Sequence, residues 1–266
     1  MHASRDLAAE YSARARSYAD LWAPVLRPMA EPILVALPLS LAGTILDVGT
    51  GTGTVVSALR SAAPGARILG VDYATGMLRL ARDSGPVLVA AMDAQRLAVA
   101  ASSVDVVTAI FMLFHLPDPL AGLLETHRVL KTGGTVGVVT WGHDPGLPGL
   151  SIWTEELDSA GASPDPRDSQ VMQQSRMNAP ERLSALMETV GYGGVRVWSK
   201  TYRTAWTADA LAALYVSCGF PSRRLPSLPA PARAACEQRA RSRVAALSEA
   251  QRMYEPEILY AVATKS

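Results

Sequence analysis

Five short apolar runs recur along the first half of the chain, each followed by a stretch whose apolar residues return at helical spacing. The runs are TILDV (44–48), ARILGV (66–71), PVLVAA (86–91), VDVVTAI (104–110) and GTVGVVTW (134–141). None alternates cleanly between apolar and polar positions, as expected of strands covered on both faces. Between them lie TVVSALRSA, halted by Pro64-Gly65, then ATGMLRLARDS, then DPLAGLLETHRVLK. The last offers Asp118 as N-cap, Pro119 at the first helical position, Leu120, Leu123, Leu124 and Leu130 on one face, and Gly133-Gly134 as its close. This order predicts an α/β fold with a mainly parallel, doubly wound sheet.

Beyond about Asp144 the rhythm changes. HDPGLPGLSIW is turn-rich, SIWTEELDSAGA has a helical pattern, and SPDPRDSQVMQQSRMN reads as a loop over the rim of the sheet. PERLSALMETVGYGG then predicts a helix from Pro180 to a stop at Gly191, followed by a strand within GVRVWSKTYRTAW. Two amphipathic stretches come next, one N-capped by Thr207 and one running through Cys236, Ala240, Val244 and Leu247, before a last strand in EILYAVATKS. The expected organisation is one domain over 1–266. It divides into a helical N-terminal segment (1–42), a ligand-binding core (43–143) and helical cap insertions on the substrate side (144–178 and 207–252).

Apolar residues make up 49% of the chain and charged residues 18%, with a net charge of +1, which gives no electrostatic grip on nucleic acid. Cys218 and Cys236 are the only cysteines and have no Cys-x-x-Cys partner or His cluster, so neither a zinc site nor a disulfide framework is expected. The first residues carry charges throughout, and the longest apolar stretch, near Ile33, is broken by Pro38. The expected location is the cytoplasm, away from membranes. Arg233, Arg239, Arg241 and Arg243 read as the solvated side of a cap helix.

Candidate chemistry gathers where an open α/β sheet binds its ligands, just past the carboxyl ends of the strands. After the first strand stand Asp47, Gly49, Gly51 and Gly53, whose small residues let backbone N–H groups approach a polar or anionic ligand. Asp72, after the second strand, can accept both hydroxyls of a ribose. Met92, Asp93 and Ala94, after the third, can meet an adenine edge. After the fourth, Phe111 can pack on the ligand, and His115 stands at a strand-to-helix turn. A dinucleotide fingerprint requires Gly or Ala where this chain has Thr54, and Asp47 would repel a pyrophosphate. A ligand ending in an amino acid, with both ammonium and carboxylate, suits the loop better.

At this point ILDVGTGTG, VDYATGML, MDAQRL, SSVDVV, LFHLPDP and RVLKTGGTV resemble, in order and spacing, the class I S-adenosylmethionine-dependent methyltransferases, nearest the ubiquinone/menaquinone-type and natural-product branch. The resemblance is strong over 45–141 and extends beyond only in layout. It implies a Rossmann-like seven-stranded sheet with an antiparallel last strand and S-adenosylmethionine as cofactor. Its methionine end would lie at Gly49, Thr50 and Gly51, its ribose on Asp72, and its adenine near Tyr73, Met77, Asp93 and Ala94. An aromatic residue of the N-terminal helix, Tyr18 or else Tyr11, would close over the methionine end. The chain departs from its relatives in Leu97-Ala98-Val99, where they often read Leu-Pro-Phe, and in Phe114, where many have a first histidine.

The implied function is methyl transfer to the O, N or C nucleophile of a small, apolar or aromatic acceptor, with His115 and His143 as candidate bases and no metal. For a phenol or alcohol, a histidine with a pKa of about 6.5 suits the task. Two alternatives are a cofactor-binding protein that catalyses a cyclisation and a nicotinamide-dependent oxidoreductase. His127, on the apolar stripe of its helix, is expected to pack. Trp141, Trp153, Trp206, Tyr202 and Tyr215 are expected mainly to pack as well. The sequence carries no signal for oligomeric state.

Overall fold

The computed structural model describes residues 2–83 and 87–266. Seven strands form one sheet: β1 (Thr44–Val48), β2 (Arg67–Asp72), β3 (Leu88–Ala91), β4 (Val104–Ile110), β5 (Leu130–Trp141), β6 (Tyr192–Thr201) and β7 (Glu257–Lys265). Their spatial order is β3-β2-β1-β4-β5-β7-β6. β7 alone runs antiparallel to its neighbours, between β5 and β6. Ser84, at the end of the second predicted helix, and Pro86, at the start of the third predicted strand, lie outside the described residues.

The missing alternation has its explanation in the core. Ile45, Val106, Val139 and Tyr260 point to one face of the sheet, and their neighbours Leu46, Val107, Val138 and Leu259 to the other. All eight are at most 1% exposed. Both kinds of position are therefore apolar, and each such side chain contributes about 1.5–3 kcal/mol by leaving water.

The helices are α1 (His2–Ala13), α2 (Ala15–Ser17), α3 (Ala23–Ala30), α4 (Val56–Ala62), α5 (Thr75–Asp83), α6 (Pro119–Val129), α7 (Leu150–Ser159), α8 (Pro180–Val190), α9 (Ala208–Ser217), α10 (Phe220–Arg224) and α11 (Ala230–Ala245). The caps read from the sequence are in place: Asp118 accepts from the Leu120 N–H, Thr207 from the Ala210 N–H, and Gly191 ends α8 at φ 100°. α6 stops at Val129, however, and β5 already starts at Leu130. Its register with β4 jumps from the Val104–Leu130 pair to the Val106–Thr135 pair. Gly133-Gly134 thus form an irregularity of the strand and not the close of a helix. None of the described helices is long and apolar enough to cross a membrane.

The two faces are covered unequally. Leu123 of α6 with Leu183 and Met187 of α8 close one. On the other, Met29 and Ile33 of the N-terminal segment meet Leu59 of α4, Trp153 of α7, Leu211 and Tyr215 of α9 and Cys236 of α11. The second insertion thus shares the core of the sheet, and a two-residue ladder pairing Thr204–Ala205 with Met253–Tyr254 closes its base. Trp153, Trp206 and Tyr215 are buried packing residues, as expected. The α11 arginines lie on the solvated side of that helix, as expected. All four face solvent, and from there Arg239 and Arg243 also reach the buried Glu156 of α7 at 2.7 and 2.9 Å.

Between α2 and α3 the chain makes a π-helical turn, Tyr18–Trp22, closed by the Ala23 N–H donating to the Tyr18 carbonyl. Pro24 has no N–H to give the carbonyl four residues before it, and its ring crowds that carbonyl, so a widened turn precedes it. The turn carries Tyr18 and Trp22 inward, over the sheet's carboxyl edge.

Candidate functional site

The chain winds from β1 through β2 to β3 on one side and then crosses to β4 on the other. The crevice between β1 and β4 at their carboxyl ends is the switch point at which such sheets take ligands. A chamber opens there. Gly49 and Gly51 line it from β1, Asp72, Tyr73 and Met77 from β2 and α5, and Met92, Asp93 and Ala94 from β3. Phe111, Met112 and His115 line it from beyond β4, and Ser4, Leu7, Ala8, Tyr11 and Tyr18 from the N-terminal segment.

The β1 loop is bound to β2 by the N–H groups of Gly49 and Thr50, which both donate to the Val71 carbonyl at 2.8 and 3.0 Å. Gly49 and Gly51 hold left-handed φ angles of 72° and 57°. At Gly49 a Cβ would lie 2.5 Å from Met112 Cβ, so only glycine fits. At Gly51 a Cβ would come no nearer than 4.0 Å to anything, jutting into open space where a ligand can approach the backbone.

Asp47 lies beneath this loop, 1% exposed. Oδ1 accepts from the Thr108 hydroxyl at 2.7 Å, while Oδ2 and the nearby buried Thr50 hydroxyl have no hydrogen-bond partner beyond each other among the described residues. Burial raises the carboxyl to about 6, against the opposing pull of the Thr108 and Thr50 hydroxyls. These two buried polar groups keep hydrogen-bonding capacity under the glycine cradle that suits an ammonium or hydroxyl. Asp47 and Thr50 face a smaller recess of the same region, shared with Gly49, Gly51, Tyr18 and Phe111.

Asp72 accepts from the N–H groups of Gly51 (2.9 Å) and Ala74 (2.8 Å). Burial raises its pKa, and those backbone donors oppose the shift. With the Tyr73 N–H as a third donor, the carboxylate still has acceptor capacity for a hydroxyl. Asp93 accepts from the Gln95 N–H at 2.9 Å in the turn after β3. Phe111 sits at φ 51°, a strained angle for an aromatic residue, with its ring 4.7 Å from that of Trp141.

His115 is not free to act as expected of a base with an ordinary pKa. Its Nδ1 lies 3.4 Å from the Val171 carbonyl, which can only accept, so the proton belongs on Nδ1. Nε2 therefore accepts from the Tyr11 hydroxyl at 2.9 Å. Burial, with the Arg167 charge second, lowers the imidazole to about 3. Such a ring is neutral at physiological pH but a weak proton acceptor. His143 stands apart from the chamber lining. It is exposed, and its backbone N–H and carbonyl pair with the side chain and N–H of Glu257. His127 packs edge-on against Tyr192.

Several lining residues escaped the sequence reading. Ser4, Leu7 and Ala8 share the inward face of α1 with Tyr11, a helical repeat that could have marked them. Beyond Tyr11 and Tyr18 a second cavity is lined by Arg14, Trp22, Arg167 and Arg223, among others. The arginines come from the turn between α1 and α2, the 160s loop and α10, and no local pattern joins them.

Comparison with known proteins agrees with the fold. Residues 46–138 match the family model of a methyltransferase domain. The demethylmenaquinone methyltransferase of Streptomyces avermitilis is 36% identical over 42% of this chain and 48% of its own. The chain spans about half the length of the curated relatives it matches. Among solved structures, Haemonchus contortus phosphoethanolamine N-methyltransferase 2 in complex with S-adenosyl-L-methionine superposes with a TM-score of 0.51 at 19% identity, over 88% of this chain and 51% of that one. The [4+2]-cyclase SpnF superposes with a TM-score of 0.54 at 17% identity, over 90% and 81% of the two chains.

Proposed function

We propose, from the premise that residues 46–138 belong to the S-adenosylmethionine-dependent methyltransferase family, that this chain transfers a methyl group from S-adenosylmethionine to a small-molecule acceptor. The observation that carries the reading is the pair of buried polar groups with no partner beyond each other, Asp47 Oδ2 and Thr50 Oγ1, under the Gly49–Gly51 backbone. A pyrophosphate would meet the Asp47 carboxylate there, which disfavours a nicotinamide dinucleotide. An amino-acid end brings an ammonium to it.

In this reading Asp47, Gly49, Thr50 and Gly51 hold the methionine end and Asp72 the ribose hydroxyls. Tyr73, Met77, Met92, Asp93 and Ala94 surround the adenine, with Phe111 and Tyr18 packing over the reacting end. When bound, the cofactor supplies an electrophilic methyl group on a sulfonium. The protein's part is then alignment and exclusion of water. Tyr11 and Tyr18 form the wall on the acceptor side, and His115 orients the Tyr11 hydroxyl by accepting its proton in a hydrogen bond. With His115 so weak a base, the acceptors favoured are those whose nucleophile arrives unprotonated or needs no proton removed before attack. An electron-rich ring carbon, as in a quinol, is one such nucleophile, since its proton leaves to solvent only after the methyl has bonded, in keeping with the ubiquinone/menaquinone biosynthesis C-methyltransferase among the relatives.

Calorimetry with S-adenosylmethionine tests the assignment. Asp72→Ala is expected to remove charge-assisted hydrogen bonds of about 1.5–3 kcal/mol and weaken binding about ten- to hundredfold. An unchanged affinity would refute the ribose assignment. Mass-spectrometric detection of S-adenosylhomocysteine with a panel of naphthoquinols and phenols tests transfer. Cofactor binding without product from any acceptor class would favour a non-methylating catalyst of the same fold.

A further inference from the structure

The second cavity adjoins the cofactor chamber, and Tyr11 and Tyr18 line both. Its wall includes Arg14, Arg167 and Arg223, which also line an outer cavity, beside apolar Trp22, Leu147 and Leu214. Two carboxylates stand against these three cations. Glu10 meets Arg167 at 2.7 Å, and Arg14 and Arg223 only at 3.5 and 3.6 Å. Asp165 takes both Nε and Nη2 of Arg223. The five side chains are between 10% and 24% exposed, so the cluster is left with one positive charge in a largely buried place. Asp6 and Asp168, on the outer rim, are exposed and form no ion pair with these arginines among the described residues.

The cluster's unused donors include the Nη1 groups. That of Arg167 has no acceptor among the described residues, and those of Arg14 and Arg223 reach Glu10 alone, beyond hydrogen-bonding distance. An unbalanced buried charge is unfavourable, and the two oxygens of a carboxylate can accept charge-assisted hydrogen bonds from N–H groups of several arginines at once. A single carboxylate would bring the cluster to neutrality, whereas a phosphate dianion would overshoot it.

Resting on the methyltransferase reading of the adjoining chamber, we infer that the methyl acceptor is an organic acid. Its carboxylate is bound by Arg14, Arg167 and Arg223, its carbon skeleton packs on Trp22, Leu147 and Leu214, and its nucleophile reaches past Tyr11 and Tyr18. The anion fixes the acceptor's orientation relative to the cofactor, which would make these arginines determinants of specificity.

Titration of the protein loaded with S-adenosylhomocysteine tests this, using benzoate, 4-phenylbutyrate and adipate, each beside its amide. At least one acid is expected to bind about tenfold or more tightly than its amide, the effect of one charge-assisted pair. Arg14→Gln is expected to abolish that preference. Glu10→Gln, which keeps a hydrogen-bonding side chain but raises the local charge, is expected to strengthen it. Affinity for S-adenosylhomocysteine, unchanged in both variants, certifies that they are folded. If acids and amides bind alike, if no acid binds, or if the preference survives in Arg14→Gln, the arginines only tie the N-terminal helix down and the inference is overturned. Failure of S-adenosylhomocysteine itself to bind would overturn the cofactor reading, and this inference with it.

Discussion

Asp47 holds one hydrogen bond where a carboxylate can hold several, and burial keeps its carboxyl at about 6. A cofactor ammonium arriving at Oδ2 favours the ionised form, so binding is expected to release a proton. The unliganded carboxyl is mostly protonated near pH 5 and ionised near pH 8, so release approaches one proton at the lower pH and vanishes at the higher. Calorimetry in buffers of different ionisation enthalpy reads this directly, and Asp47→Asn is expected to eliminate it. The same raised pKa stabilises the unliganded fold below about pH 4, and that contribution, about 3 kcal/mol, is lost as the pH rises through about 6. Melting curves of the wild type and Asp47→Asn should differ accordingly across that window. Residues of this kind were legible in the sequence because strand ends and glycine spacing are local signals. The tie between Tyr11 and His115 was not, since it joins residues 104 positions apart and depends on how α1 lies across the sheet. It turned an expected base into a hydrogen-bond acceptor.

Among the elements, α1 matters most to the chamber, and one close approach seats it against α5. The Gly76 N–H at the start of α5 donates to the Ser12 hydroxyl at 3.1 Å, and a Cβ at Gly76 would lie 2.4 Å from the Ser12 carbonyl oxygen. In a helix, Gly→Ala ordinarily stabilises by about 0.5–1 kcal/mol. Here Gly76→Ala is expected to act in the opposite sense, pushing α1 off α5 and weakening S-adenosylmethionine binding about tenfold, or about 1.4 kcal/mol. Hydrogen exchange is expected to quicken in residues 2–22 while β1, β4 and β5 keep their protection. Unaltered exchange in α1 would show that the contact does not hold it. The sequence announced the helix through its composition but not its partner. Likewise, the run of apolar residues in β5 was plain, whereas its true start at Leu130 was hidden by two glycines that read as a helix stop.

At the scale of the whole molecule, the layout of the sheet was legible from its strand-helix alternation, and the two insertions from their break in rhythm. What stayed hidden was their shared side. Contacts such as Glu10 with Arg167, or Arg14 with the Ser222 carbonyl, span more than half the chain, and a net charge of +1 conceals a local excess. Leu211, Leu214, Tyr215, Cys236 and Val244 of the second insertion are buried in the core of the sheet. At about 1.5–3 kcal/mol for each large apolar side chain, their joint contribution is comparable to the 5–15 kcal/mol that stabilises a typical domain. Deleting residues 206–252 and closing the gap with a short turn is therefore expected to abolish cooperative thermal unfolding, which calorimetry would show. Replacing them is another matter. Because Thr204–Ala205 and Met253–Tyr254 pair side by side, the insertion leaves and re-enters the framework within about 5 Å. Any segment that begins and ends at that spacing and offers an equivalent apolar face can take its place without shifting β6 against β7. The ladder is thus a graft point, through which the acceptor side of this molecule can be exchanged as a cassette while the cofactor side stays as it is.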